Sequence, residues 1–498
     1  MRGRPTRGTG RRLLALAGLA VLAGTGCARL FSHYDVAPNG LLRRENDLRR
    51  LLAFGHPDSA LSHVAGRDDA APEDELLRAL YAGILGHYAG AYDSSNAALQ
   101  RAAELAEDRY TKRISRAALS LVTSDNVLPY EPGWTERLLI HYYGAMNRLR
   151  QGDRAGAAVE ARRLGFLLER EAERERDERT TPMIAFLRYF TGVVFEAAGE
   201  RNDADVAYRN ALMLASRGDT LPTERALPDS VGEVVVVVEQ GFVAHRVEQS
   251  IVAPLLPAEV AWLTGTSGDE RAAASLEVAT RIVAALSLRR AHPWYAHRPP
   301  TLHLDLPSDV RYKASCTEAS DDKDDDDTRD CPEDGNPYLL RIAWPAYRLD
   351  REPVTGLRVV GGDIVEPVQF HADVSTAVVR DFDDERTLLL ARTVARAISK
   401  LALTKGVESI GGDDDEWIGR VLGMLTNLGT ALLEQADTRS WQLLPGRIGI
   451  ARLRLPAGTH RIAVEIPDGA GGVHRRIEVG RVDVRPGRIE VVPVRVWR

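Results

Sequence analysis

From Glu45 to about residue 217, apolar residues recur at i, i+3 and i+4 with Asp, Glu and Arg between them, which is the period of amphipathic helices. The pattern then changes. Residues 232–242, GEVVVVVEQGF, form a β-branched run ending in Gly and predict a buried strand. Two more strands are predicted at 338–347 and 357–360, with a helix at 269–290 opened by Ser267 or Asp269 and two long helices at 384–404 and 414–435. From Arg447 onward apolar residues alternate with polar ones: Ile448 and Ile450, Leu453 and Leu455, Ile462, Val464 and Ile466, then Ile477, Val479, Val482, Val484, Ile489 and Val491. Turns at 456–458, 468–472 and 486–487 divide this stretch into four or five short strands. The predicted fold class is multidomain: an α-helical repeat array (44–217), then an α+β domain (228–445) and a small C-terminal antiparallel, sandwich-like β module (446–498).

Within the helical part, 186–216 is the most regular stretch. Gly192, Phe195, Gly199 at a turn, Ala204, Tyr208 and Ala211 match the offsets of a tetratricopeptide hairpin, where small residues let two helices touch and aromatics fill the gaps. Gly83, Gly90, Leu99 and Ala102 repeat those offsets in 76–106, as do Ala145, Gly152, Ala157, Ala161 and Leu164 in 138–169. A weaker hairpin at 46–64 turns at Gly55. The turn glycines 55, 90, 152 and 199 are 35, 62 and 47 residues apart, so the array is irregular and decorated. Superposing the hairpins puts Leu77, Leu80 and Ile84, Leu139, Tyr142 and Met146, and Phe186, Tyr189 and Val193 on the inner, concave side, with His87, Leu149 and Glu196 one turn further on. Two readings of this apolar row stay open: a groove for a helical or extended peptide partner, or a face that the following domain fills, because an exposed patch of that size is a liability. Tyr130 and Trp134 are expected to plug the helix pair, and Trp344 and Trp441 to be core aromatics.

The first 26 residues read as an export signal. Arg2, Arg4, Arg7, Arg11 and Arg12 precede an apolar run, 13–23, and then small residues before Cys27. The arrangement resembles a bacterial lipoprotein signal, which implies acylation of Cys27, a tether over 27–43 and attachment to a membrane. Ala28 follows Cys27 where an Asp would favour inner-membrane retention, so the periplasmic face of the outer membrane is the expected location. Removing the five arginines takes the formal charge from −6 to −11. With no basic stripe apparent past the N-terminus, a nucleic-acid partner is not expected.

In an oxidising compartment Cys316 and Cys331, which bracket an acidic loop, are expected to pair with each other. The loop, SDDKDDDDTRD, is read as a solvated local insertion rather than a Ca²⁺ site, since EF-hand spacing and its Gly are missing. H-E-x-x-H, G-x-S-x-G and G-x-x-x-x-G-K-[ST] do not occur. No catalytic residue, cofactor or metal is therefore assigned, although a triad assembled from distant positions stays open.

Residues 130–163 (YEPGWTERLLIHYYGAMNRLRQGDRAGAAVEARR) and 437–460 (DTRSWQLLPGRIGIARLRLPAGTH), with 391–400 and the lipoprotein start, resemble a family of proteobacterial lipoproteins with tetratricopeptide-like helices and no established activity. The resemblance implies an architecture and an envelope location. The expected function is a scaffold that binds a protein or peptide partner in cell-envelope assembly, by analogy with other helical-repeat lipoproteins. The alternatives are an envelope hydrolase or transferase with its site in the α+β domain, or a glycan- or peptidoglycan-binding protein.

Overall fold

The structure is a computed structural model that describes residues 40–65, 72–111, 129–170, 178, 180–214, 230–255, 338–349, 354–408, 436–468 and 472–497. The expected signal segment, the predicted helices at 269–290 and 414–435, and Cys27, Cys316 and Cys331 lie outside these residues. The chain divides into two compact units, residues 1–55 and residues 56–498. In the first, helix α1 spans Gly40–Ala53 and ends before Gly55, which has a positive φ of 79°.

The second unit begins with helices: α2 (Pro57–Ala65), α3 (Glu75–Tyr88), α4 (Tyr92–Thr111), α5 (Trp134–Gln151), α6 (Arg154–Arg170), α7 (Thr181–Ala198) and α8 (Arg201–Leu214). Gly90, Gly152 and Gly199 sit at the turns of α3–α4, α5–α6 and α7–α8 with φ of 75°, 78° and 85°, a conformation that favours Gly because it has no Cβ. The hairpins are antiparallel: Gly83 lies against Leu99 and Gly86 against Ser95, with the first index rising as the second falls. Gly192 is equally confined, since a Cβ there would lie 2.7 Å from the Tyr208 ring.

Strands follow: β1 (Val231–Gln240), β2 (His245–Leu255), β3 (Tyr338–Arg348), β4 (Arg358–Gly361), β5 (Ile364–Pro367) and β6 (Gln369–Asp373), then helix α9 (Val374–Glu408), then β7 (Arg447–Pro456), β8 (Gly458–Pro467), β9 (Val473–Val484) and β10 (Ile489–Val496). One four-stranded sheet has the order β10-β1-β7-β6 and a second the order β5-β4-β8-β9. Strands β2 and β3 pair with each other, with Leu255 opposite Tyr338. The acidic loop lies outside the described residues.

The helices-then-sheets layout is as expected, and three details are not. The boundary at 446 does not separate a C-terminal module, because β7 and β10 flank β1 in one sheet while β8 pairs with β4 in the other. Nor is the C-terminal stretch wholly antiparallel, since β10 runs parallel to β1 from Glu233↔Ile489 to Gln240↔Val496. Local alternation reports which way side chains point but not which strand lies alongside. Helix α9 begins ten residues before its predicted start at 384, because Asp373 caps it by accepting from the Thr376 amide at 2.8 Å.

The two four-stranded sheets pack face to face. Val234, Val236 and Val238 of β1, Leu453 and Leu455 of β7, and Val492 and Val494 of β10 meet Val359, Ile462, Val464 and Ile466 from the other sheet. The alternate residues of β1 and β7, Val235, Val237, Ile448 and Ile450, are also buried, at 0–3% exposure. They point the other way, to the face from which Glu239 and Arg452 reach the helices. A strand buried on both faces needs apolar side chains at every position, which accounts for the unbroken valine run.

Gly192→Ala should destabilise the second unit by about 1–3 kcal/mol through overpacking against Tyr208, whose hydroxyl is held by Glu196 and Arg452. A lowered denaturant midpoint would show it. An unchanged or raised midpoint would mean the hairpin yields and the gain in helix propensity wins.

Candidate functional site

The nine residues of the expected groove are all buried: Leu77, Leu80, Ile84, Leu139, Tyr142, Met146, Phe186, Tyr189 and Val193 are each at most 2% exposed. Of the two readings left open for this face, the structure shows the second, because the chain's own sheet covers it and the residues do not form an open partner groove. Polar atoms register the contact. Tyr142 Oη donates to Glu239 Oε1 at 2.9 Å, and Tyr88 Oη to Glu239 Oε2 at 3.2 Å. Arg452 on β7 donates to Tyr208 Oη at 2.9 Å, Tyr189 Oη at 3.4 Å, Glu196 Oε2 at 3.0 Å and Glu233 Oε2 at 2.5 Å. Next to them the Asn147 amide donates to Ser95 Oγ and Asn96 Oδ1, which turns its oxygen to His87, so His87 Nδ1 donates to it at 2.7 Å.

A second seam adjoins the Glu239 end of the sheet, where the Gly446 amide donates to the Gln240 carbonyl at 2.8 Å. Residues 438–444, without helix or strand, are buried. The Trp441 amide donates to Glu136 Oε1 at 2.9 Å, and Tyr81 Oη to the Ser440 carbonyl at 3.1 Å. Glu136 Oε2 accepts from Tyr130 Oη at 2.5 Å and from the Gly133 amide at 3.2 Å. Arg439, 1% exposed on its side chain, is forked onto Asp437 and reaches Asp74 at 3.0 Å. Burial pushes the Asp437 carboxyl up, and Arg439 overrides it and holds the pKa below the ordinary value. The two stretches that carry the sequence resemblance therefore meet through Glu136, Tyr130, Arg439 and Trp441. Tyr130, Trp134, Trp344 and Trp441 are all buried, as expected of plugs and core aromatics.

Beside this seam opens the candidate site, a cleft of about 270 Å³ between the end of α4, the start of α5, the β2–β3 pair and α9. Most of its charged lining is committed. Arg109 donates to the Tyr130 carbonyl, Arg137 pairs with Glu107 at 3.1 Å, and Asp381 Oδ2 accepts from the Thr135 amide at 2.7 Å, capping α5. Arg246, on β2, differs. Its Nε donates to Tyr347 Oη at 3.3 Å, and the guanidinium lies 5.8 Å from the Tyr347 ring centre and 5.5 Å from that of Phe382. Among the described residues no carboxylate comes within ion-pair distance of it. Stacking on two aromatic faces fixes the fork, leaving its outer N–H groups for a planar anion such as a carboxylate.

Nothing in the sequence marked Arg246. It sits in an unremarkable stretch, and its neighbours Tyr347 and Phe382 come from β3 and α9, joined only by the fold. Among the described residues no group of three or more His, Cys, Asp or Glu is placed to hold a metal ion.

His87 gives the helix–sheet seam a pH dependence. Burial depresses its pKa from 6.5, opposed by the Glu239 carboxylate and by the bond to Asn147. A group whose pKa is lower in the folded chain contributes stability that is complete above the unfolded value and lost as the pH falls. Denaturant midpoints should therefore decline as the pH falls below the unfolded value of 6.5, and His87→Gln should flatten that decline. Parallel profiles for the two proteins would count against this assignment.

Comparison with known proteins finds no matching family model, no matching curated protein and no matching solved structure.

Proposed function

We propose that this chain is a lipid-anchored protein of the cell envelope that acts as a binding scaffold, with tetratricopeptide-like hairpins as its frame and the Arg246 cleft as its recognition site. The supporting observation is Arg246, a guanidinium clamped on Tyr347 and Phe382 in an open cleft, which makes no ion pair among the described residues although the carboxylates of Asp437 and Glu136 act on it from further off. Such a group suits a partner segment that presents a carboxylate, either a chain terminus or an acidic side chain. The hairpins then serve differently from a simple repeat protein. Their concave face holds the chain's own sheet, and the recognition surface moves to the edge where helices, strands and α9 converge. The envelope location is supported by the basic, apolar and small-residue order that ends at Cys27. Among the described residues no helix is long and apolar enough to cross a membrane.

Two experiments test this. Cys27→Ala should move the chain from the membrane fraction to the soluble fraction of cells, and continued sedimentation with membranes would remove the acyl anchor. A photo-reactive residue at Asp384, on the cleft wall, should give a discrete protein adduct in cells. Arg246→Gln should abolish that adduct, and Arg246→Lys should restore it only in part, because a point charge lacks the fork. An adduct indifferent to Arg246 would take the cleft out of the reading.

A further inference from the structure

We propose that the outer edge of the second sheet, made by the β8–β9 hairpin and the β9–β10 turn, is a seat for an anionic lipid surface. Residues 447–498 carry eleven Arg and five acids, a formal charge of +6, in a chain whose total is −6. The whole-chain charge conceals this asymmetry, because the remainder, at −12, outweighs it.

The structure gathers the excess onto one border. Strand β9 is the edge strand of its sheet, and most of its side chains are exposed. Arg461, Arg475, Arg481, Arg485 and Arg488 are all exposed, with His474 among them. Arg461 stands directly opposite Arg481 across the β8–β9 ladder, and like charges so placed cost stability. The acids nearby are otherwise engaged. Glu465 pairs with Arg358 and Arg476, Glu478 with Arg476, and Asp483 accepts from Thr459 Oγ1 at 2.6 Å. None of the five arginines forms an ion pair among the described residues. Val473 adds an apolar contact at the start of β9, 45% exposed. A repulsive cross-strand pair in a chain rich in carboxylates is an uneconomical way to build a solvated hairpin, whereas an anionic surface relieves the repulsion as it binds.

Lipid headgroups suit the arrangement better than nucleic acid. The border has no exposed Phe, Tyr or Trp for base stacking, and the N-terminal residues are read as a signal that would place the chain at a bilayer. Near such a surface each Arg contributes about 1 kcal/mol, and the attraction fades within a Debye length.

The test uses the chain from Ala28 to Arg498, which keeps every described element and has neither the acyl group nor the signal arginines. It should sediment with vesicles containing phosphatidylglycerol and not with phosphatidylcholine alone, and salt should release it. Arg461→Gln with Arg481→Gln should lower the partition coefficient about 30-fold, the equivalent of about 1 kcal/mol per arginine. Arg201→Gln with Arg209→Gln, two exposed positions on α8, should leave it unchanged. Both positions of the hairpin pair are solvent-facing, so the variant should keep its denaturant midpoint or gain slightly. Binding that ignores lipid charge, or survives the hairpin substitutions, would overturn the proposal. So would salt-sensitive binding to an oligonucleotide without binding to vesicles. The Arg246 cleft is untouched by these variants, so either proposal can fail while the other stands.

Discussion

The architecture depends on one constraint: the β10-β1-β7-β6 sheet must bury both of its faces. On one side its valines meet the second sheet in a dry core. On the other they meet the concave side of the helical hairpins, where Tyr142, Phe186 and Leu139 are fully enclosed. Apolar contact supplies the driving force but carries little positional information. Position comes from the few polar groups that break the pattern. Glu239 takes two tyrosine hydroxyls, and Arg452 bridges Glu196 of α7 to Glu233 of β1 while binding Tyr208 of α8. A slip of the sheet by one residue would turn these charges into the valine core, at the cost of an unpaired buried ion.

This arrangement accounts for where recognition surfaces remain. A hairpin array usually offers its concave side to a partner, and here that side is occupied by strands. The seam at residues 438–444 closes one end of the contact and ties it to the start of α5 through Glu136. What stays open is the border: a cleft where Arg246 is presented on an aromatic platform, and the outer edge of the second sheet, where cations collect. Both lie at margins of the packed layers, where side chains need not satisfy the core.

The burial of so many polar groups also explains a feature of the composition. Fourteen tyrosines stand beside nine phenylalanines, and several of the tyrosines sit in the helix–sheet contact with ring apolar and hydroxyl bonded to a charged partner. Tyr142, Tyr189 and Tyr208 fill volume as Phe would, and each also gives Glu239 or Arg452 a hydrogen bond that burial would otherwise deny it.

Much of this fold was legible along the chain, for local reasons. Helical period, turn glycines at 90, 152 and 199, and the small residues Gly83 and Gly192 act over a few residues, so they placed the turns of three hairpins, with the outer helix ends up to five residues off. Alternation likewise placed β7 to β10, and the unbroken valines marked β1 as buried on both faces. Pairing was not legible. That β10 lies parallel to β1, and that β7 and β8 join different sheets, depends on contacts one hundred or more residues apart, which no local period encodes. The candidate site belongs to the same class. Leu77 through Val193 could be assigned to one face from spacing, but whether a partner or the chain itself covers that face is a tertiary decision, made by Glu239 and Arg452 finding their tyrosines. Arg246 gains meaning only when β3 brings Tyr347 and α9 brings Phe382 to its two sides.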